Sequence, residues 1–150
     1  MKKIAIYPGT FKPFHEGHLT ILEKALKVFD EVYVVPSINI RKKDGTEQQT
    51  REAQINAMVK HLHGVHVVTN LKMLTVDFAV SVGAQFIIRG LRSKKDLEYE
   101  LDMYDANKML NQDIETVYFV ANLGERKVSS TTLREIELFQ QMLEDNKENM

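Results

Sequence analysis

The stretch Tyr7-Pro8-Gly9-Thr10-Phe11-Lys12-Pro13-Phe14-His15-Glu16-Gly17-His18 gathers a hydroxyl, two imidazoles and a Gly- and Pro-rich turn into one short piece of chain. An apolar run precedes it and a helical pattern follows, so backbone N–H groups and imidazoles converge on the positive end of a helix dipole. An anion such as phosphate can sit there. Further donors recur where later apolar runs end: Lys42, then Arg89 and Arg92, then Ser129 and Ser130. Together with Thr10, His15 and His18 they form a cationic, donor-rich set. Such a set suits binding a polyphosphate and stabilising charge on a transferring phosphorus, where positioning and electrostatics do most of the catalysis.

Three common alternatives are disfavoured. No Gly-x-Gly-x-x-Gly follows the first apolar run, and no Gly-x-x-x-x-Gly-Lys-Ser/Thr occurs, which argues against a dinucleotide redox fold and a P-loop NTPase. No Gly-x-Ser-x-Gly elbow is present, and without cysteine there is neither a thiol nucleophile nor a thiolate metal site. His61, His63 and His66 straddle a helix end and a strand start without ligand spacing, so no metal site is read there.

The elements that must carry these residues alternate. Strands are expected over 4–7, 32–35, 65–68, 86–88 and 117–120, the fourth breaking abruptly at Arg89. Helices are expected from Leu19 onward, from a Thr46 cap to Leu62, from Thr75 to a stop at Gly83, over 94–110 with Leu97, Leu101 and Tyr104 inward, and from 129–132 onward. Thr132 with Glu135 matches a capping box for the last of these. The charged residues 144–150 are expected to form a frayed tail.

Strict strand–helix alternation over 150 residues, with no repeat or linker, implies a single α/β domain. The expected architecture is a doubly wound, Rossmann-like, five-stranded parallel sheet of order 3-2-1-4-5 with helices on both faces. In that order the switch point lies between the first and fourth strands, where the Pro8–His18 and Arg89–Arg92 turns meet.

Composition sets the setting. A hydrophobic content of 43% and a charged content of 27% are those of an ordinary globular protein. A net charge of -1 supplies no basic field for a nucleic acid. No apolar run is long enough to span a bilayer, and the absence of cysteine fits a cytoplasmic protein.

Thr10-Phe11-Lys12-Pro13-Phe14-His15-Glu16-Gly17-His18 resembles the HxGH/TxGH signature of the nucleotidyltransferase superfamily. Ile87-Ile88-Arg89-Gly90-Leu91-Arg92 followed by Asp96-Leu97-Glu98-Tyr99-Glu100 is similar to a block of the bacterial phosphopantetheine adenylyltransferases. Val128-Ser129-Ser130-Thr131 resembles their last helix start, and Lys42 stands where they carry a substrate-binding lysine. That family usually has Thr at the His15 position and Asp at the Lys12 position.

The resemblance implies transfer of the adenylyl group of ATP to 4′-phosphopantetheine, giving dephospho-coenzyme A and pyrophosphate. It implies that His18, Thr10, Lys42 and Arg89 are catalytic, and that Thr10, Lys42, Thr75 and Arg89 bind the acceptor. The ATP site it implies comprises Thr10, Phe11, His18, Gly90, Leu91, Arg92, Glu100, Glu125, Arg126, Lys127, Val128, Ser129, Ser130 and Thr131. It also implies Mg²⁺ held mainly by ATP phosphates and water, and a hexameric homo-oligomer. Another acceptor such as nicotinate mononucleotide, or a non-catalytic nucleotide-binding module, stays open at this stage.

Overall fold

The strands place alternate residues on opposite faces, and the two faces bury different sets. Ala5, Tyr7, Val32, Val34 and Ile88 join one core, while Ile6, Val35 and Ile87 join the other. That period-two division gives a sheet covered on both sides, as parallel sheets require. The computed structural model describes residues 1–38, 45–124 and 126–149.

In chain order the elements are β1 (Ile4–Gly9), α1 (Glu16–Leu26), β2 (Glu31–Pro36), α2 (Gly45–Val59), β3 (Val65–Val67), α3 (Thr75–Ser81), β4 (Phe86–Leu91), α4 (Lys94–Leu110), β5 (Glu115–Val120) and α5 (Ser130–Glu148). All pairings are parallel, in the order β3-β2-β1-β4-β5 expected from the alternation. α1 and α2 cover the first core through Leu22, Ala25 and Ile55, and α3 covers the second through Val76, Phe78 and Ala79. α3 stops where expected: Gly83 has φ +75°, its N–H donates to the Val80 carbonyl at 3.1 Å, and the Ala84 N–H donates to Ala79 at 2.8 Å.

The register opens the cleft. β1 and β2 stay paired as far as Gly9 and Pro36, and β4 and β5 as far as Leu91 and Val120. Between β1 and β4 the ladder holds only Ala5 opposite Phe86 and Ile6 opposite Ile87. Beyond those rungs the sheet divides into two halves that separate at their C-terminal ends, at the switch point.

Several boundaries differ from expectation. β4 does not break at Arg89 but continues through Leu91, because β5 offers partners for Arg89, Gly90 and Leu91. α1 begins at Glu16, with His15 as its cap, so His18 lies in the first turn and not before the helix. Thr46 lies inside α2, which ends at Val59. The cap of α5 is Ser129, whose hydroxyl accepts from the Thr132 N–H at 3.2 Å, and the helix runs to Glu148 through most of the expected frayed tail. On α4, Leu97 and Leu101 face outward, 43% and 51% exposed. Its inward position is Glu100, because the element it meets is the Arg89 guanidinium and not an apolar surface.

Candidate active site

A cleft of about 640 Å³ occupies the split between the sheet halves. Thr10, Phe11, His18, Thr75, Arg89, Gly90, Arg92 and Glu100 line it.

The β1–α1 turn is built by the chain's own local bonding. His15 caps α1 with its Nδ1 accepting from the Gly17 N–H at 3.1 Å. The His15 N–H in turn donates to Nδ1 of His18 at 3.0 Å. The pair is a reciprocal capping arrangement at the i, i+3 spacing, with imidazoles in place of the usual hydroxyl and carboxylate. A backbone N–H can only donate, so each Nδ1 is an acceptor and each neutral ring carries its proton on Nε2. The rings lie 3.7 Å apart between centroids. Gly17 makes this possible, since a Cβ there would stand 2.9 Å from Cε1 of His15. Burial, the neighbouring His15 and Arg92 hold the His18 pKa down to about 4, so at neutral pH it is an uncharged N–H donor.

Phe11 holds the turn from beneath. Its ring is 3% exposed and packs edge-on against Tyr7, Phe14 and His18 at centroid distances of 5.2, 5.2 and 5.0 Å. Only its backbone is left to meet a ligand. Its φ of 48° is unusual for a bulky residue, and Gly9 leaves the room its ring needs.

The β4–α4 side is cationic and set by distant partners. Arg89 Nε donates to both Glu100 oxygens at 3.1 and 3.0 Å, and Nη2 to Oε1 at 2.7 Å. Its Nη1 reaches across the split to the Pro8 carbonyl at 3.3 Å. Burial works against the guanidinium's charge, but the Glu100 hydrogen bonds and charge outweigh it and keep its pKa above the ordinary value. Glu100 itself is 4% exposed, and its carboxylate is committed to Arg89. Arg92, by contrast, is largely exposed. Asp96 accepts from the Arg92 and Ser93 N–H groups at 2.9 and 3.2 Å, turning the chain into α4.

Of the other expected site residues, Leu91 is the last residue of β4. Arg126 ties to the rim, donating to the Arg92 and Ala121 carbonyls at 2.9 and 2.5 Å. Lys127, Val128, Ser129, Ser130 and Thr131 lead into the start of α5 and do not line the cleft. Lys42 and Glu125 lie outside the described residues.

Sequence reasoning missed Tyr7, Tyr99, Met103 and Asn107, which also line the cleft, as does Tyr104, which was expected to face inward from α4. Burial raises the Tyr7 pKa above its ordinary value, opposed by Arg89 and Arg92, so its hydroxyl stays protonated. The i, i+4, i+7 spacing from Glu100 could have flagged Tyr104 and Asn107, had Glu100 been taken as the inward position of α4.

The cytidylyltransferase-like family model matches residues 6–136. A phosphopantetheine adenylyltransferase of Mycoplasma capricolum is 49% identical over 137 residues, covering 91% of this chain and 98% of that protein. One from Lacticaseibacillus paracasei is 41% identical, covering 92% and 83%. The chain belongs to the phosphopantetheine adenylyltransferase family. Among solved structures, a Vibrio parahaemolyticus protein described as a candidate nicotinate-nucleotide adenylyltransferase superposes with a TM-score of 0.58 at 21% identity, over 90% of this chain and 86% of that one. That likeness concerns the fold, which this adenylyltransferase family shares. His15 supplies a side-chain acceptor at the helix cap.

Proposed function

We propose that the cleft transfers the adenylyl group of ATP to the phosphate of 4′-phosphopantetheine. A phosphate oxygen of the acceptor bonds to the α-phosphorus of ATP, and the bond from that phosphorus to the bridging oxygen breaks. The products are dephospho-coenzyme A and pyrophosphate. The nucleophile belongs to the substrate, so no side chain need become covalently modified.

In this reading His18 Nε2–H donates to the α-phosphate, where negative charge builds in the five-coordinate transition state. A neutral donor suits that position, because its hydrogen bond strengthens as charge develops there. Thr10 contacts both phosphates, and Arg89 with Lys42 holds the acceptor phosphate against repulsion from ATP. Thr75 lines the pantetheine arm. Phe11, Gly90 and Leu91 offer backbone to ATP, while Arg92 and residues 125–131 complete its site. Glu100 serves the site by fixing Arg89.

The observation that carries the reading is the meeting, across the β1–β4 split, of an uncharged His18 donor and the cationic Arg89. Mg²⁺ would be held mainly by the phosphate oxygens of ATP and by water. Asp96 and Glu100, the carboxylates of the cleft lining, are already engaged with backbone N–H groups and Arg89. When bound, it shields the β- and γ-phosphates.

Self-association belongs to the same reading, with the family's hexamer as the expected form. α5 buries none of its side chains within this chain, although Leu133, Ile136, Phe139 and Leu143 share one side of it. Ile136→Lys should lower the molecular mass found by sedimentation equilibrium. Among the described residues no helix is long and apolar enough to cross a membrane. We place the reaction in the cytoplasm, in keeping with a chain without cysteine.

The test is pyrophosphate release from ATP with 4′-phosphopantetheine or nicotinate mononucleotide, and from CTP with glycerol 3-phosphate. Turnover is expected with 4′-phosphopantetheine. Turnover with nicotinate mononucleotide alone would overturn the acceptor.

A further inference from the structure

We propose that Arg51 and Gln54, on α2, are positioning residues for adenylyl transfer, gripping both ends of the loop that carries Thr10 and delivers the His15 cap. The proposal rests on the activity assigned above. Neither residue lines the cleft, so neither touches substrate there.

The loop has little backbone support of its own. Beyond a turn at Lys12–Pro13, no backbone–backbone hydrogen bond joins residues 10–14 to the rest of the described chain. Their main-chain partners come from α2. Arg51 is 9% exposed, and its Nη1 donates to the Thr10 carbonyl at 3.0 Å and the Ser37 carbonyl at 3.1 Å. It therefore joins the chain just beyond β1 to the chain just beyond β2. Its Nη2 donates to Glu47 at 2.5 Å, which balances the buried charge. Gln54 satisfies both main-chain groups of one residue: Oε1 accepts from the Phe14 N–H at 3.1 Å, and Nε2 donates to the Phe14 carbonyl at 2.8 Å. Three residues apart, the two side chains share a helix face.

The held segment includes Phe11 at φ 48°, a conformation that persists only where its surroundings impose it. Phe14 immediately precedes His15, whose N–H fixes Nδ1 of His18. A shift at Phe14 thus reaches the His18 ring within one residue, and a shift at Thr10 reaches its hydroxyl directly. Catalysis that depends on placement is sensitive to such shifts, a displacement of about 1 Å costing on the order of a hundredfold.

The experiment compares the full chain with Gln54→Met and Arg51→Lys. Gln54→Met keeps length and removes both Phe14 bonds; Arg51→Lys keeps charge and removes the planar fork that spans two carbonyls. Steady-state pyrophosphate release is measured well below each variant's unfolding midpoint, and ¹⁵N NMR reads the His18 tautomer. Each folded variant should lose at least about tenfold in kcat, with KM for ATP changed by less than about threefold. Gln54→Met should also convert the single Nε2–H signature into a tautomer mixture. A lowered unfolding midpoint with a smaller loss of kcat, in either folded variant, would overturn the proposal. If Arg51→Lys does not fold, Gln54→Met decides. If the unaltered chain shows no turnover with any acceptor, the assigned activity fails instead. In that case the tautomer signature decides the positioning role: a single Nε2–H form retained in Gln54→Met overturns it.

Discussion

The two turns that face each other across the split sheet reach a similar end by different means. The β1–α1 turn presents an uncharged donor, oriented by bonds between residues three and two apart, from His15 N–H to His18 and from Gly17 N–H to His15. The β4–α4 turn presents a cation, oriented by Glu100, eleven residues away in sequence, and by Pro8, eighty-one residues away. The first arrangement depends on helix capping, which is local, with the loop that delivers the cap held by Arg51 and Gln54 of α2. The second depends on a buried ion pair, which requires the sheet, α4 and the split register all to be in place. A site for two phosphate-bearing substrates benefits from both. Cations overcome the repulsion between anions at binding, and a neutral donor holds its strongest interaction for the transition state.

The comparison can be broken most sharply at His18. His18→Gln keeps a capping-competent side chain at the third helical position, so the helix start should survive. Loss of the imidazole donor should nonetheless lower kcat by about 100- to 1,000-fold, with a smaller change in ATP affinity. Retained turnover would reduce His18 to a cap.

On the other side, Arg89→Met should weaken acceptor binding, read as a raised KM for 4′-phosphopantetheine. It also leaves Glu100 buried without its partner, which should cost about 3–5 kcal/mol in a urea titration. No comparable stability loss is expected from His18→Gln, and that asymmetry is the signature of local against long-range construction.

The next effect is on pH dependence. Because His18 titrates at about 4 in the folded chain against an ordinary 6.5, the unfolded state takes up a proton first as pH falls. Stability should therefore decline from about pH 6.5 toward pH 4 and then level with respect to this group. The His18→Gln curve should lack that slope, so its difference from the unaltered chain's curve should isolate it.

The smallest effect is expected at His15. His15→Thr restores a hydroxyl acceptor at the cap and should leave the unfolding midpoint nearly unchanged, whereas His15→Ala should cost about 1 kcal/mol. Either substitution removes a neighbouring imidazole that depresses the His18 pKa, so the His18 titration should move upward in both by NMR.

Much of the first turn was legible in the chain because its physics is short-range. The Gly- and Pro-rich break, the two histidines and the helical pattern beyond them all lie within one stretch. Even so, reading the helix from Leu19 missed that the histidines belong to its first turn, since His–His capping departs from the usual hydroxyl and carboxylate pair. The second turn was legible only as residue types. Arg89 reads as the end of a strand because nothing in the local sequence shows that β5 will pair with it as far as Leu91. Leu97 and Leu101 read as the inward side of α4 because apolar periodicity ordinarily marks a core face. In the fold a buried carboxylate takes that place. Arg51 and Gln54 carried no signal at all, being ordinary polar residues on a helix until the Thr10 and Phe14 backbone is brought to them.

By itself, then, the sequence determined the alternation of strands and helices, the parallel sheet that follows from it, and the identity of the donors at the strand ends. Those depend on periodicity, chirality and capping, which act over a few residues. The tertiary structure decided where the sheet divides, which cation pairs with Glu100 and bridges to Pro8, and which helix grips the Thr10 loop. These are outcomes of register and packing between segments far apart in the chain. They exist only once the free energy of burying the two cores has brought those segments together.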